Sequence, residues 1–196
     1  GDPLDMIASG PAYPDSASCA QALDIAKRYG LRLSERAWAL LAQETPKTLE
    51  NVETQITGSV RALCAAAAAA CEALGYEPMI LTDCLCCEAR EAGSMLASIA
   101  RTHARDGKNL AFLMGGETVV HLRGKGLGGR NQEIALSAAL GIEGLSNALV
   151  FSAGSDGTDG PTDAAGGIAD GETAQLMRLK GVDAVQSLNA NDAYHA

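Results

Sequence analysis

Apolar positions along this chain follow two alternating rhythms. Residues 18–30 carry Ala, Leu and Ile at helical spacing and end on Gly30, which predicts a helix. A second helix is expected from Ser34, a side chain suited to an N-cap, through Ala37, Leu40 and Leu41, before Pro46 and a polar run interrupt it. Residues 1–15 hold Pro3, Pro11 and Pro14 with Ser9-Gly10 and read as a loop. The interruption at 44–51 is the expected domain boundary, dividing the chain into 1–47 and 48–196.

Beyond that break the pattern alternates. A strand is expected at 52–58, an alanine-rich helix at 60–74 stopped by Gly75, a strand at 79–81 and a helix at 88–105. Strands at 110–114 and 118–122 follow, then a helix opening near Asn131 and a strand at 148–152. Strands alternating with helices predict an α/β fold, with a mixed or largely parallel sheet flanked by helices. No internal repeat is visible, and the alanines at 65–70 read as a helix lying close against a sheet.

Composition narrows the function classes. Of 196 residues, 47% are hydrophobic and 20% charged, enough apolar surface to offset conformational entropy. A net charge of −9 disfavours nucleic acid, whose binding needs a basic patch. No apolar run approaches the ~18–20 residues of a membrane span. The chain opens on Gly-Asp-Pro with no targeting segment and reads as a piece of something longer. Its six cysteines, none beyond Cys87, are expected to be reduced thiols of a cytoplasmic protein. Cys84 to Cys87 have no second pair or histidine cluster, so zinc is not expected, and His103, His121 and His195 show no motif spacing.

Three segments can carry chemistry. Gly124-Lys125-Gly126-Leu127-Gly128-Gly129-Arg130-Asn131-Gln132-Glu133 lies between a predicted strand and a predicted helix. Such a loop offers backbone N–H groups beside a positive helix end, suited to phosphate or carboxylate oxygens, and Arg130 adds a fork-shaped donor. Gly124, Gly126 and Gly129 satisfy G-x-G-x-x-G, yet the next strand ends in Ser152-Ala153-Gly154 without the acidic residue that holds a ribose. The P-loop pattern fails as well, since Lys125 is followed by Gly126. The second segment runs from Ser152 to Gly167, where Asp156, Asp159 and Asp163 on a glycine-permissive backbone suit a magnesium site or a general base. The third, Gly115-Gly116-Glu117-Thr118, serves either close approach of a ligand or a tight strand connection.

Together these segments resemble the type 2 glycerate kinases, a family with a C-terminal MOFRL-type domain that older naming calls hydroxypyruvate reductases. The resemblance extends to Gly1-Asp2-Pro3, Ile7-Ala8-Ser9-Gly10-Pro11 and Asn191-Asp192-Ala193-Tyr194-His195, and so spans the chain. It implies that 1–47 is a remnant of an N-terminal Rossmann-like domain and 48–196 a C-terminal α/β domain, with MOFRL-type motifs from about residue 110. A catalytic lysine is expected in the part of the family's N-terminal half that this chain lacks, so the chain alone is expected to be inactive.

The implied activity is transfer of the terminal phosphoryl of ATP to the 2-hydroxyl of D-glycerate, with Mg²⁺ as cofactor. Alternatives are a nicotinamide-dependent hydroxypyruvate reductase and a non-catalytic nucleotide- or anion-binding domain. Arg130, Asp156 and Asp159 are the catalytic candidates. Gly115, Gly116, Glu117, Gly126, Gly128, Gly129 and Asn131 are the phosphate and nucleotide candidates, and Asp156, Asp159 and Asp163 the metal ligands. The expected partners are D-glycerate and ATP, with neither nucleic acid nor membrane, and a homo-oligomer is left open.

Overall fold

A computed structural model of the chain describes Leu4 and residues 12–196. The motifs Gly1-Asp2-Pro3 and Ile7 to Pro11 lie outside the described residues. Two compact units, 1–60 and 61–196, are treated separately below.

In the first unit, α1 (Cys19–Arg28) opens on a capping box, with the Ser18 and Gln21 side chains each accepting the other's backbone N–H. Helix α2 (Glu35–Leu41) is capped by Ser34, whose hydroxyl accepts the Ala37 amide. Both helices begin where the sequence placed them. Lys47 ties the segment after α2 to the one before α1 through the Asp15 and Ala17 carbonyls. Its ammonium also faces Glu44 and is the main reason that carboxyl is lowered to about 2. The strand expected at 52–58 does not form; those residues have no ladder partner, and Ile56 stands exposed.

The second unit carries α3 (Val60–Ala73), β1 (Glu77–Leu85), α4 (Ala89–His103) and β2 (Leu110–Gly116). Then come α5 (Arg130–Ile142), β3 (Leu149–Ala153), β4 (Gly166–Asp170), α6 (Thr173–Leu179) and α7 (Ala184–Ala190). β1 and β2 pair in parallel, from Glu77 opposite Leu110 to Leu85 opposite Gly116, with α4 as the crossover between them. β3 and β4 pair antiparallel, from Leu149 opposite Asp170 to Ala153 opposite Gly166. The α/β expectation holds, with the strands of the described residues in two pairs, one of each sense.

Helix α5 is the axle of this unit. Eight of its thirteen residues are buried, distributed around its whole circumference, which marks a helix packed on every side. One face meets α4 and the β3–β4 pair in a core of Ala97, Ala138, Ala139, Ile142, Val150 and Ala169. Another places Leu136 against Met177, Ala184 and Leu188 of α6 and α7. The crossing with α4 is close because small residues face each other: a Cβ on Gly93 would lie 2.3 Å from the Ile134 carbonyl oxygen.

The strand expected at 118–122 reduces to one bridge, Glu88 with Val119. Val119 donates to the Cys87 carbonyl and accepts from the Ala89 amide, and there α4 begins, so a ladder cannot continue. β4, α6 and α7 have no counterpart in the hydropathy pattern. β4 opens on Gly166-Gly167, which reads as loop, and the two helices span only seven residues each.

Candidate functional site

Five pieces of chain converge at the start of α5: the end of β2, the glycine-rich loop 123–129, α5 itself, the β3–β4 loop and the segment 191–195. Arg130 is the first residue of α5. Its Nη1 donates to Glu117 Oε1 at 2.6 Å, and both side chains are substantially exposed. An ion pair in that setting contributes ~0–1 kcal/mol, so an incoming anion can displace Glu117 at little cost.

Asp159 has a different surrounding. It is 2% exposed, and its carboxylate sits on the α5 N-terminus. Oδ1 accepts the Asn131 amide and side-chain Nδ2, both at 3.0 Å, and Oδ2 accepts the Gln132 amide at 2.8 Å. The helix takes its N-cap from a residue 28 positions away, satisfying amides that Gly129 cannot reach. Gly129 makes room for it, since a Cβ there would fall 2.3 Å from Asp159 Cγ. Gln132 and Thr162 brace the aspartate's own backbone carbonyl. Asn131 Oδ1 accepts the Ser152 hydroxyl at 2.6 Å, anchoring the cap to the end of β3.

Replacing Asp159 with alanine strips two α5 amides of their acceptor and is expected to cost about 1–2 kcal/mol of stability. Asp159→Asn, which keeps one acceptor oxygen, costs less. Thermal unfolding of the two variants tests this, and equal midpoints with the parent chain would refute the cap.

The three aspartates go to separate partners. Asp156 accepts the Thr158 amide within its own turn. Asp163 Oδ1 accepts the Tyr194 hydroxyl at 2.6 Å, and that hydrogen bond, with the carboxylate's charge after it, pushes the phenol's pKa up. Among the described residues no group of three or more His, Cys, Asp or Glu is arranged to hold a metal ion.

The glycine-rich loop is held by the end of the described chain. Asn191, 4% exposed and left-handed at φ 54°, accepts the Arg123 and Gly124 amides on Oδ1 at 2.6 and 2.9 Å. Leu127 is gripped from both sides: its amide donates to Asp192 Oδ1 at 2.9 Å and its carbonyl accepts the Tyr194 amide at 3.0 Å. The Gly126 amide goes to the Ala190 carbonyl. Added Cβ atoms on Gly124 and Gly126 would strike Ala190 and Asp192 within 2.4 Å. Those two glycines admit protein, and the N–H groups of 123, 124, 126 and 127 are already taken. Gly128 and Gly129 are left with amides that meet no acceptor among the described residues.

The Leu127 amide, and after it His195, hold the Asp192 carboxyl below its ordinary value. This contact contributes fully above the unfolded carboxyl pKa of about 3.9 and is lost as pH falls through the lowered folded value. An acid titration of the chain followed by circular dichroism should show a component below pH ~4 that Asp192→Asn lacks; superimposable curves would remove the assignment.

Beneath the loop lies a buried polar network that the sequence did not disclose. Glu133, 2% exposed, accepts Arg90 Nε on Oε1 and Asn191 Nδ2 on Oε2, each at 3.2 Å. Arg90 also donates to the Leu188 carbonyl at 2.7 Å and faces Glu88. The available signal was a glutamate at the fourth position of a helix whose mostly apolar run begins directly after it, together with the Asn-Asp pair of the last motif.

The chain is similar to known proteins in sequence and in fold. A model described as the MOFRL family matches residues 110–196, and one described as Domain of unknown function (DUF4147) matches residues 1–42. The chain is 49% identical to the D-glycerate 2-kinase of Thermotoga maritima, aligned over all of this chain and 48% of that protein. It is 40% identical to the glycerate 2-kinase of Pyrococcus horikoshii, again over its full length and 48% of the relative. The crystal structure of a Thermotoga maritima glycerate kinase superposes with a TM-score of 0.85 at 48% identity, covering all of this chain and 48% of that one. The chain therefore spans about half the length of the relatives it matches.

Proposed function

We propose that this chain, which belongs to the glycerate 2-kinase family, supplies the anion-binding half of an enzyme that moves the terminal phosphoryl of ATP to the 2-hydroxyl of D-glycerate. The observation that carries the reading is Arg130, a permanent bidentate cation at the start of α5, held in place by a carboxylate it can exchange. Phosphoryl transfer is achieved mainly by positioning and charge neutralisation, and a guanidinium at a helix N-terminus provides both.

Within this reading Arg130 leaves Glu117 for the phosphoryl or the substrate carboxylate. The amides of Gly128 and Gly129, which meet no acceptor among the described residues, add donors beside it. Gly115 lies near them at the end of β2, while Gly116 packs on the Leu85 backbone. Asp159 and Asn131 act as positioning residues, because both are committed to the α5 cap. A magnesium ion keeps most of its waters and needs only one or two protein carboxylates beside the phosphates. Exposed Asp156, whose sole described partner is the Thr158 amide, fits that part, with Asp163 as the second candidate. When bound, the ion neutralises charge on the phosphate oxygens.

The dinucleotide alternative has little support, since Gly124 and Gly126 face Ala190 and Asp192 where a pyrophosphate would have to lie. Free cysteines throughout suit a reducing, cytoplasmic setting, and no helix among the described residues is long and apolar enough to cross a membrane.

The test is phosphorus NMR of D-glycerate and Mg-ATP with the protein of full family length that carries this chain, beside a reaction holding NADH and hydroxypyruvate. A new 2-phosphoester with unchanged NADH supports the kinase. NADH consumption without a phosphoester overturns it.

A further inference from the structure

Of the six free cysteines, Cys84 and Cys86 are the exposed ones; Cys64 is buried and the others are half-buried. They flank Leu85, which turns inward to pack with Ala89, Ala92 and Ile134, so the two thiols share the outer side of an extended segment. At a strand rise of ~3.3 Å per residue their Cα atoms would stand about 6.6 Å apart and their Cβ atoms, on one side of the segment, about as far, beyond the ~3.5–4.5 Å between Cβ atoms in a disulfide, so the bridge requires the backbone between them to contract.

This segment lies directly against the candidate site. The Glu117 amide donates to the Leu85 carbonyl and the Val119 amide to the Cys87 carbonyl, each at 2.9 Å. Gly116 fits so tightly that a Cβ there would meet the Leu85 amide nitrogen at 2.3 Å. Any contraction between 84 and 86 is therefore transmitted to Glu117, the residue that holds Arg130.

We propose that Cys84 and Cys86 form a reversible dithiol–disulfide site that reacts with low-molecular-mass disulfides and weakens anion binding at Arg130 when oxidised. One thiolate attacks the small disulfide, forming a mixed disulfide and expelling one small thiol. The second protein thiolate then attacks the mixed disulfide at the protein sulfur and expels the other. The pair gives up two electrons and two protons, and the small disulfide becomes two thiols. Because the bridge must shorten an extended backbone, it is readily reduced again. The effect on anions rests on the reading of Arg130 given above; formation of the bridge does not.

The experiment treats the full chain with oxidised glutathione, followed by intact-mass and peptide mapping and by calorimetric titration with ATP. The expected result is loss of two hydrogens confined to the peptide holding both residues, reversal by dithiothreitol, and ATP affinity lowered about fivefold or more. Cys84→Ser and Cys86→Ser should each stop at a stable glutathione adduct. Absence of reaction, or equal labelling of Cys19 and Cys71, overturns the site. A bridge that leaves ATP affinity unchanged overturns the coupling. Reduced chain that binds no ATP, yet still forms the bridge, removes the reading of Arg130 and with it the coupling, while the dithiol site stands.

Discussion

On the kinase reading proposed above, replacing Arg130 with alanine is expected to lower turnover of D-glycerate and Mg-ATP by about 10³-fold in the protein of full family length, the scale expected when a donor to the transferring group is removed. The fold is spared, because the Arg130–Glu117 pair is exposed and the α5 cap is made by Asp159. Circular dichroism and the unfolding midpoint should match the parent. Arg130→Lys keeps the charge but loses the planar fork, so it should recover only a small part of the rate. In the chain alone, the same substitutions should weaken ATP binding in the same order. A near-normal rate in the alanine variant would show that the phosphoryl is stabilised elsewhere.

The largest stability effect is expected at Glu133, away from any ligand. Truncation to alanine strands a guanidinium that is only 14% exposed and leaves Asn191 Nδ2 without its carboxylate. Breaking one side of a buried pair costs about 3–5 kcal/mol; here Glu88 retains a hold on Arg90, so the lower end applies. That is a large share of the ~5–15 kcal/mol available to a domain. Glu133→Gln fits sterically, but it offers a single acceptor where Arg90 and Asn191 both donate, so one donor is left unmet. Urea unfolding should rank parent, glutamine and alanine in that order. Since Asn191 also holds the Arg123 and Gly124 amides, hydrogen exchange at those two positions should accelerate alongside. An alanine variant as stable as the parent would mean that the network is not closed.

Most helices could be read along the chain because each carries its own boundary chemistry. Ser18 and Ser34 cap α1 and α2, and Gly75 stops the turn after α3, all through contacts within a few residues. The strand at 149–153 was legible for its apolar run, whereas its partner β4 was hidden, because Gly166 and Gly167 are strand residues only by virtue of Ser152 and Ala153 opposite them. The false strand at 118–122 had suitable β-branched residues and no edge on which to extend.

The same division runs through the candidate site. Sequence alone placed Arg130 at a helix start, marked the glycine-rich and aspartate-rich loops, and led to the family, because these depend on residue type and short spacing. Tertiary structure decided what each group touches. A glycine is selected equally by a ligand or by a neighbouring backbone, and only the fold put Ala190 and Asp192 against Gly124 and Gly126. A carboxylate in a loop can cap, coordinate or stay in solvent. Asp159 became a cap because the β3–β4 loop returns to α5 from 28 residues away, a distance in sequence that no local pattern encodes.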